Sequence, residues 1–265
     1  MEKTIEQYVG QPIHKRNLNQ VLDVVMQMVR DCEIELHSDV ISDNFLGSTG
    51  KVEVMGDIDF AVVRLSKDDK KALSTHSQSV HSFNSTNGVS CIISYNDIET
   101  QELKYAQVDF IPGELYWLKQ FFYRSMNTEF KGVHCNTLFA AILQWLRVID
   151  DEIDAGFIMS FTRGFVMRTI IKNSDKETEY GKPIYTRREI AELVFGPEYA
   201  NHLDSVEGVY EALTECGRFT EEQQNVILET WLSVFLHRQF QGEEYPWHKL
   251  KKAVPYLLEE VDITS

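Results

Sequence analysis

The chain has 265 residues, enough for one large domain or two ordinary ones, and 43% of them are hydrophobic, which supplies a folded core. Its formal net charge of −15 disfavours a protein that grips long duplex nucleic acid, because such proteins usually present a basic surface to the phosphates. The four cysteines show no Cys-x-x-Cys spacing, and no apolar run approaches the roughly 18 residues of a membrane-spanning helix. We therefore expect a cytoplasmic protein with reduced thiols and no membrane partner.

The first half of the chain alternates helical and strand-like patterns. Apolar residues at helical spacing predict an amphipathic helix within residues 14–33. An apolar run from 57 to 63 predicts a strand, and Ser66 followed by Asp69 predicts a capped helix near 67–76. The His, Ser and Asn content of residues 74–88 indicates a loop. Further strands, at 89–95 and ending near 112, are expected to form a hairpin.

After Pro112-Gly113 the pattern changes to successive helices. Residues 115–125 and 136–149 are predicted helices, and capping boxes that begin at Thr186 and Thr220 start further ones. The polar residues 172–183 predict a connecting segment. We therefore expect an α+β protein. A catalytic domain with a mixed sheet and helices would occupy residues 1–113, and an all-helical domain that binds substrate or nucleotide would occupy residues 114–265.

Two aspartates lie two residues apart in the first predicted strand. Asp57 and Asp59 would therefore point to the same face, where two carboxylates repel each other unless a cation such as Mg²⁺ lies between them. Asp109 is a third acid, centred in a later strand. An Asp-x-Asp pair alone also fits a solvated strand edge or a turn. An EF-hand loop is excluded, because the apolar Ala61 stands at the fifth position of such a loop, where a third oxygen ligand is required.

A Gly-Ser turn precedes this pair, in the segment Asn44-Phe45-Leu46-Gly47-Ser48-Thr49-Gly50-Lys51. The order of a Gly-Ser turn, Asp-x-Asp and a single later Asp resembles the nucleotidyltransferase superfamily of DNA polymerase β, over about residues 40–112. The resemblance implies that Gly47 and Ser48 hold the β and γ phosphates of a nucleoside triphosphate. It also implies that Asp57 and Asp59 bind two Mg²⁺ or Mn²⁺ ions, and that Asp109 completes the second metal site and helps to activate the attacking hydroxyl.

Several basic residues are candidates for nucleotide contacts. Lys51 follows the Gly-Ser turn and would reach a triphosphate as a point charge, although a solvated lysine is an equally good interpretation. Lys119, Arg124, Lys131 and His134 lie where this superfamily often holds the triphosphate and the base. For each of these four, a surface salt bridge or a helix cap is the alternative interpretation.

An aromatic run in the same region has two interpretations. Its side chains would either stack on a base or belong to the core, as is usual for an aromatic stripe at helical spacing. The residues are Tyr116, Trp117, Phe121, Phe122 and Tyr123.

The function implied by the resemblance is transfer of a nucleoside monophosphate from a triphosphate, ATP among them, to an acceptor hydroxyl with release of pyrophosphate. The acceptor would be an RNA or tRNA 3′ end, a small molecule or a protein side chain, since a few basic residues in one cleft suffice despite the acidic surface. The alternative is a catalytically idle protein of the same fold, acting as a nucleotide sensor, an antitoxin-like protein or a scaffold.

Overall fold

A computed structural model describes residues 10–85, 88–123, 132–172 and 177–232. The chain is α+β and divides into two compact units, one ending at Lys119 and the other beginning at Gln120. The division falls within a helix, just after the predicted domain boundary at residue 113. In the part of the chain that the structure describes, no helix is both long and apolar enough to cross a bilayer. All four cysteines are free thiols.

The first unit combines α-helices with a four-stranded mixed sheet and a small two-stranded sheet. Its elements in chain order are β1 (Ile13–His14), α1 (Leu18–Asp31), β2 (Val54–Met55), β3 (Ile58–Val62), α2 (Lys67–Thr75), β4 (Ser79–Ser85), β5 (Gly88–Asn96), β6 (Leu103–Pro112) and α3 (Leu115–Phe121), whose last two residues belong to the second unit. Short 3-10 helices span Lys15–Asn17 and Ile41–Asn44.

The core of the first unit forms between α1 and one face of the mixed sheet. The apolar stripe of α1, including Val21, Val25 and Met28, packs in one cluster with Phe60 of β3 and Val108 of β6. Side chains alternate between the two faces of a strand, so burying Phe60 and Val108 on the core face turns Asp59 and Asp109 to the opposite face.

The strand order β3-β6-β5-β4 sets the position of these acids. β3 and β6 are parallel neighbours, with Asp59 directly opposite Asp109, and β5 and β6 form the predicted antiparallel hairpin. The helix expected after β3 begins as predicted: the Ser66 hydroxyl accepts a hydrogen bond from the Asp69 amide, and the Asp69 carboxylate accepts one from the Ser66 amide.

The second unit combines helices with a second four-stranded sheet. Its elements are α4 (Gly132–Trp145), β7 (Val148–Ile149), β8 (Ile153–Ser160), β9 (Gly164–Ile171), β10 (Thr178–Tyr180), α5 (Arg187–Val194), α6 (Val206–Glu215) and α7 (Glu221–Thr230), with 3-10 helices at Pro197–Tyr199 and His202–Asp204. Thr186 and Thr220 cap α5 and α7, as their sequence patterns predict.

The prediction of an all-helical second domain is wrong. Residues 148–180 contain four antiparallel strands in the order β10-β9-β8-β7. The central hairpin of β8 and β9 turns at residues 161–163, before Gly164, whose φ of +79° suits glycine. The helix predicted over 136–149 also ends earlier than expected. α4 ends at Trp145, and the β-branched residues Val148 and Ile149 form β7.

Two predicted loops also contain strands. Residues 79–85 form β4, the edge strand of the first sheet, instead of belonging to a loop. An edge strand forms hydrogen bonds to a neighbouring strand on one side only, and most of β4 is exposed. A polar composition is therefore typical of this position. The polar segment 172–183 contains β10, whose three residues are all exposed.

Candidate metal and nucleotide site

Three aspartates meet at the edge of the first sheet. Asp57 immediately precedes β3, Asp59 lies within it, and Asp109 lies opposite Asp59 on β6. Each contributes a carboxylate oxygen to a cluster in which these oxygens lie within 4.8 Å of one another, and all three side chains are half-buried. Carboxylate oxygens are the ligands that hard divalent cations prefer, so this cluster is able to hold a metal ion.

Burial and repulsion between carboxylates dominate the electrostatics of the central aspartate. Burial, followed by repulsion from Asp57 and then from Asp109, raises the pKa of Asp59 to about 8. At neutral pH Asp59 therefore keeps its proton unless a cation compensates the neighbouring charges. A divalent ion is such a cation, because it favours the ionised form of every carboxylate that it contacts.

Thr49 fixes the Gly-Ser turn against β3. Its side chain is almost fully buried, and its hydroxyl accepts a hydrogen bond from the Asp59 amide at 3.0 Å. The Leu46 amide donates to the Asp59 carbonyl, also at 3.0 Å. The backbone of the central aspartate is thus bonded on both sides to the segment that carries Gly47 and Ser48. Sequence reasoning missed Thr49, although its position directly after Ser48 was a usable signal.

Gly47 is required by both its conformation and its surroundings. Its φ is +55°, in the left-handed region, and a Cβ at this position would lie 2.7 Å from the Asp59 Oδ2. Any side chain at residue 47 would therefore displace the carboxylate of Asp59. The turn approaches the aspartate cluster closely enough for a group bound on one to touch the other.

Ser48 and Lys51 complete this turn. Ser48 is half-buried, and the exposed Lys51 folds back so that its ammonium group donates a hydrogen bond to the Gly47 carbonyl at 2.9 Å. The side chain of Lys51 consequently carries a positive charge at the turn itself. The sequence allowed two interpretations of Lys51, a triphosphate contact and a solvated lysine. The structure shows an exposed lysine whose ammonium group lies at the turn.

Gln107 orients the third aspartate. Its side-chain amide donates to both carboxylate oxygens of Asp109, at 3.1 and 3.2 Å. The two residues are two apart on β6 and so share a face, which is the period-two signal that would have identified Gln107 from the sequence. Sequence reasoning did not include it.

Of the four basic candidates further along the chain, the structure describes Lys119 and His134. Lys119 is exposed on α3, and His134 is buried in α4 of the second unit. Arg124 and Lys131 lie outside the described residues. Their roles as nucleotide contacts remain predictions from the resemblance.

The aromatic run divides between the two interpretations. Trp117 is buried, whereas Tyr116 and Tyr123 are largely exposed. Phe121 and Phe122 are half-buried and pack with Phe161 of the second unit. Core packing therefore accounts for Trp117 and for much of the surface of the two phenylalanines.

Comparisons with known proteins add no relative: no protein-family model matches the chain, and no curated protein matches it. The aspartate cluster and the Gly-Ser turn are therefore the features from which a function can be inferred.

Proposed function

We propose that this protein is a metal-dependent nucleotidyltransferase, which transfers a nucleoside monophosphate from a triphosphate to an acceptor hydroxyl and releases pyrophosphate. The observation that carries the proposal is the convergence of three carboxylates beside the Gly-Ser turn. The pKa of Asp59 is raised to about 8, and at Gly47 the turn has no room for a side chain. A cluster of acids on its own is common on protein surfaces. The adjoining Gly-Ser turn distinguishes this cluster, because an anionic substrate held by the turn would share a metal ion with the three aspartates.

The residues present fit Mg²⁺ or Mn²⁺. Asp57, Asp59 and Asp109 would hold the ions, since all three offer hard oxygen ligands from one small region. When bound, such ions stabilise the charge on the attacking and leaving oxygens of phosphoryl transfer. Gln107 keeps the Asp109 carboxylate in one orientation through its two hydrogen bonds.

The Gly-Ser turn would hold the triphosphate. At Gly47 the backbone approaches Asp59 without a side chain in between, and Ser48 offers a hydroxyl and an amide as donors to phosphate oxygens. Lys51 adds positive charge at the same turn. The acceptor is proposed only as a class, namely a hydroxyl of an RNA or tRNA 3′ end, a small molecule or a protein.

A label-transfer experiment tests the proposal. The protein is incubated with each common nucleoside triphosphate, labelled at either the α or the γ phosphate, together with Mg²⁺ or Mn²⁺ and with total RNA, a mixture of hydroxylated metabolites, or the protein alone. We expect the α label to enter a product, the γ label to leave as pyrophosphate, and both to require metal.

Two variants make the result specific. The double variant Asp57→Asn, Asp59→Asn should lose transfer, whereas the control Asp151→Asn, at an exposed turn, should retain it. Absence of α-label transfer with every acceptor class, combined with joint stabilisation of the protein by metal and triphosphate, would instead support the idle nucleotide-sensing alternative. Retained activity in the double variant would contradict the assignment of the site.

A further inference from the structure

A cavity of about 560 Å³ lies wholly within the second unit, between α4 and the strands β8 and β9. Its size is within the range of about 300 to 1,000 Å³ that is typical of small-molecule sites. The aspartate cluster belongs to the first unit, so this cavity is a separate feature of the chain.

Three aromatic rings, those of Phe121, Phe157 and Phe161, line part of this cavity. Phe121 and Phe161 meet edge to face, with their ring centroids 4.7 Å apart, and Phe157 on β8 stacks in parallel on Phe165 at 4.9 Å. Phe157 remains half-exposed even though it lies in a strand. A wall of this kind offers both ring faces and ring edges to a flat aromatic molecule.

The charge in the cavity wall is positive and only partly compensated. Arg147 forms a two-pronged ion pair with Asp154, through Nε and one Nη to the two carboxylate oxygens. Arg168 is the second guanidinium in the wall, and its Nε is buried without a hydrogen-bond partner among the described residues. The acid near both arginines is thus committed to Arg147.

A buried donor without an acceptor is costly, and native proteins rarely leave one unless a ligand or water accepts the bond. A guanidinium edge presents two parallel N–H donors, which match a carboxylate or a phosphate. We propose that this cavity binds a small molecule that has an aromatic ring and one carboxylate or phosphate group, with the anion on Arg168 and the ring among Phe121, Phe157 and Phe161.

Binding of simple probes tests the chemistry. The full-length protein is titrated by calorimetry with 2-naphthoate, 2-naphthyl phosphate and the neutral 2-naphthalenemethanol. We expect at least one of the anions to bind about 10-fold or more tightly than the alcohol, because one charge-assisted pair is involved. The tighter of the two anions identifies the charged group of the natural ligand. No binding of either anion at millimolar concentration, or equal binding of the alcohol, would overturn the proposal.

Three substitutions locate the bound probe. Arg168→Met removes the guanidinium but keeps most of the apolar stem of the side chain, and should weaken anion binding about 10- to 100-fold. Ala140→Leu narrows the cavity and should weaken the anions and the alcohol alike. The control Arg163→Met removes an exposed charge that lies over Tyr180, outside the cavity lining, and should leave binding unchanged. Equal losses from Arg163→Met and Arg168→Met would show a nonspecific charge effect and overturn the proposal.

A measurement on the unaltered protein covers the case in which a variant does not fold. Met159 lines the cavity, whereas Met167, on the neighbouring strand, lies outside its lining. With ¹³C-methyl-labelled methionine, saturating 2-naphthoate or 2-naphthyl phosphate should shift the Met159 resonance well beyond that of Met167. An unchanged Met159 resonance under saturating probe would contradict binding in this cavity.

Discussion

The strongest consequence of the aspartate cluster is a stability that falls as pH rises in the absence of metal. The folded protein keeps the Asp59 proton up to about pH 8, whereas the unfolded chain loses it near the ordinary value of 3.8. Between these values the folded state binds more protons than the unfolded state, so the free energy of unfolding decreases with rising pH. The stabilising contribution is fully present below about pH 4 and is lost by about pH 8.

The magnitude follows from the size of the pKa difference. At about 1.4 kcal/mol for each unit of pKa difference, a rise from 3.8 to about 8 sets a ceiling of about 5 to 6 kcal/mol. The three acids share the repulsion and the half-buried cluster can draw in water, so we expect about 2 to 4 kcal/mol. Asp59→Asn removes the charge at nearly constant volume, and should be more stable than the parent by this amount at pH 8.5 but not at pH 4.

Urea denaturation in EDTA, repeated from pH 4 to pH 8.5, measures this difference. Asp151→Asn serves as the control, because this exposed residue belongs to the second unit and is not one of the three acids of the cluster. Subtracting the parent curve cancels the acids that act in the opposite sense, such as Asp154, whose pKa the Arg147 hydrogen bond lowers. A difference between Asp59→Asn and parent that stays flat across the pH range would refute the account of a charge-strained site. Added Mg²⁺ should reverse the order, stabilising the parent more than the variant.

Four other outcomes are expected. Asp109→Asn should abolish label transfer without unfolding the protein, as circular dichroism would verify; retained transfer would exclude a metal-ligand role. Ser48→Ala should weaken triphosphate binding about 10-fold in calorimetry, while Mn²⁺ binding without nucleotide stays unchanged. Thr49→Val should cost about 1 to 3 kcal/mol in urea denaturation, because the buried amide of Asp59 loses its acceptor; a neutral effect would mean that the turn is not fixed by this bond. Mg²⁺ and a triphosphate together should raise the melting temperature by more than the sum of their separate effects, and a merely additive shift would count against a shared site.

Gly47 shows how the structure changes an experiment that the sequence suggests. From the sequence, Gly47→Val should obstruct phosphate binding alone. In the structure the new Cβ would collide with Asp59, so the variant would disturb metal binding as well. Ser48→Ala is therefore the substitution that separates phosphate binding from metal binding.

Most of the first unit, apart from β4, was predictable because its local signals agree with its packing. The apolar stripe of α1 and the Ser66 capping box are features that a helix of any fold requires. The aspartates were recognisable because isolated acids in apolar strands are unusual, and the parallel pairing of β3 with β6 places Asp59 opposite Asp109.

The strands that the sequence patterns did not predict depend on a different kind of contact. The strands β8 and β9 pair with each other, so their stability comes from contacts across the sheet and not from a pattern within one segment. The polar strand β4 likewise depends on its neighbour β5. The role of Gln107 follows from the period-two pattern of β6, which places it on the same face as Asp109. The Nε of Arg168, which has no hydrogen-bond partner among the described residues, depends on which side chains the fold brings together and cannot be deduced from one segment.

The most direct test of the central claim is a crystal structure with Mn²⁺ and a non-hydrolysable nucleoside triphosphate, with data collected at the manganese absorption edge. The account predicts anomalous peaks bounded by Asp57, Asp59 and Asp109, with the β and γ phosphates on the Gly47-Ser48 turn. Manganese bound elsewhere with the three carboxylates unliganded, or a triphosphate that does not touch the turn, would contradict it.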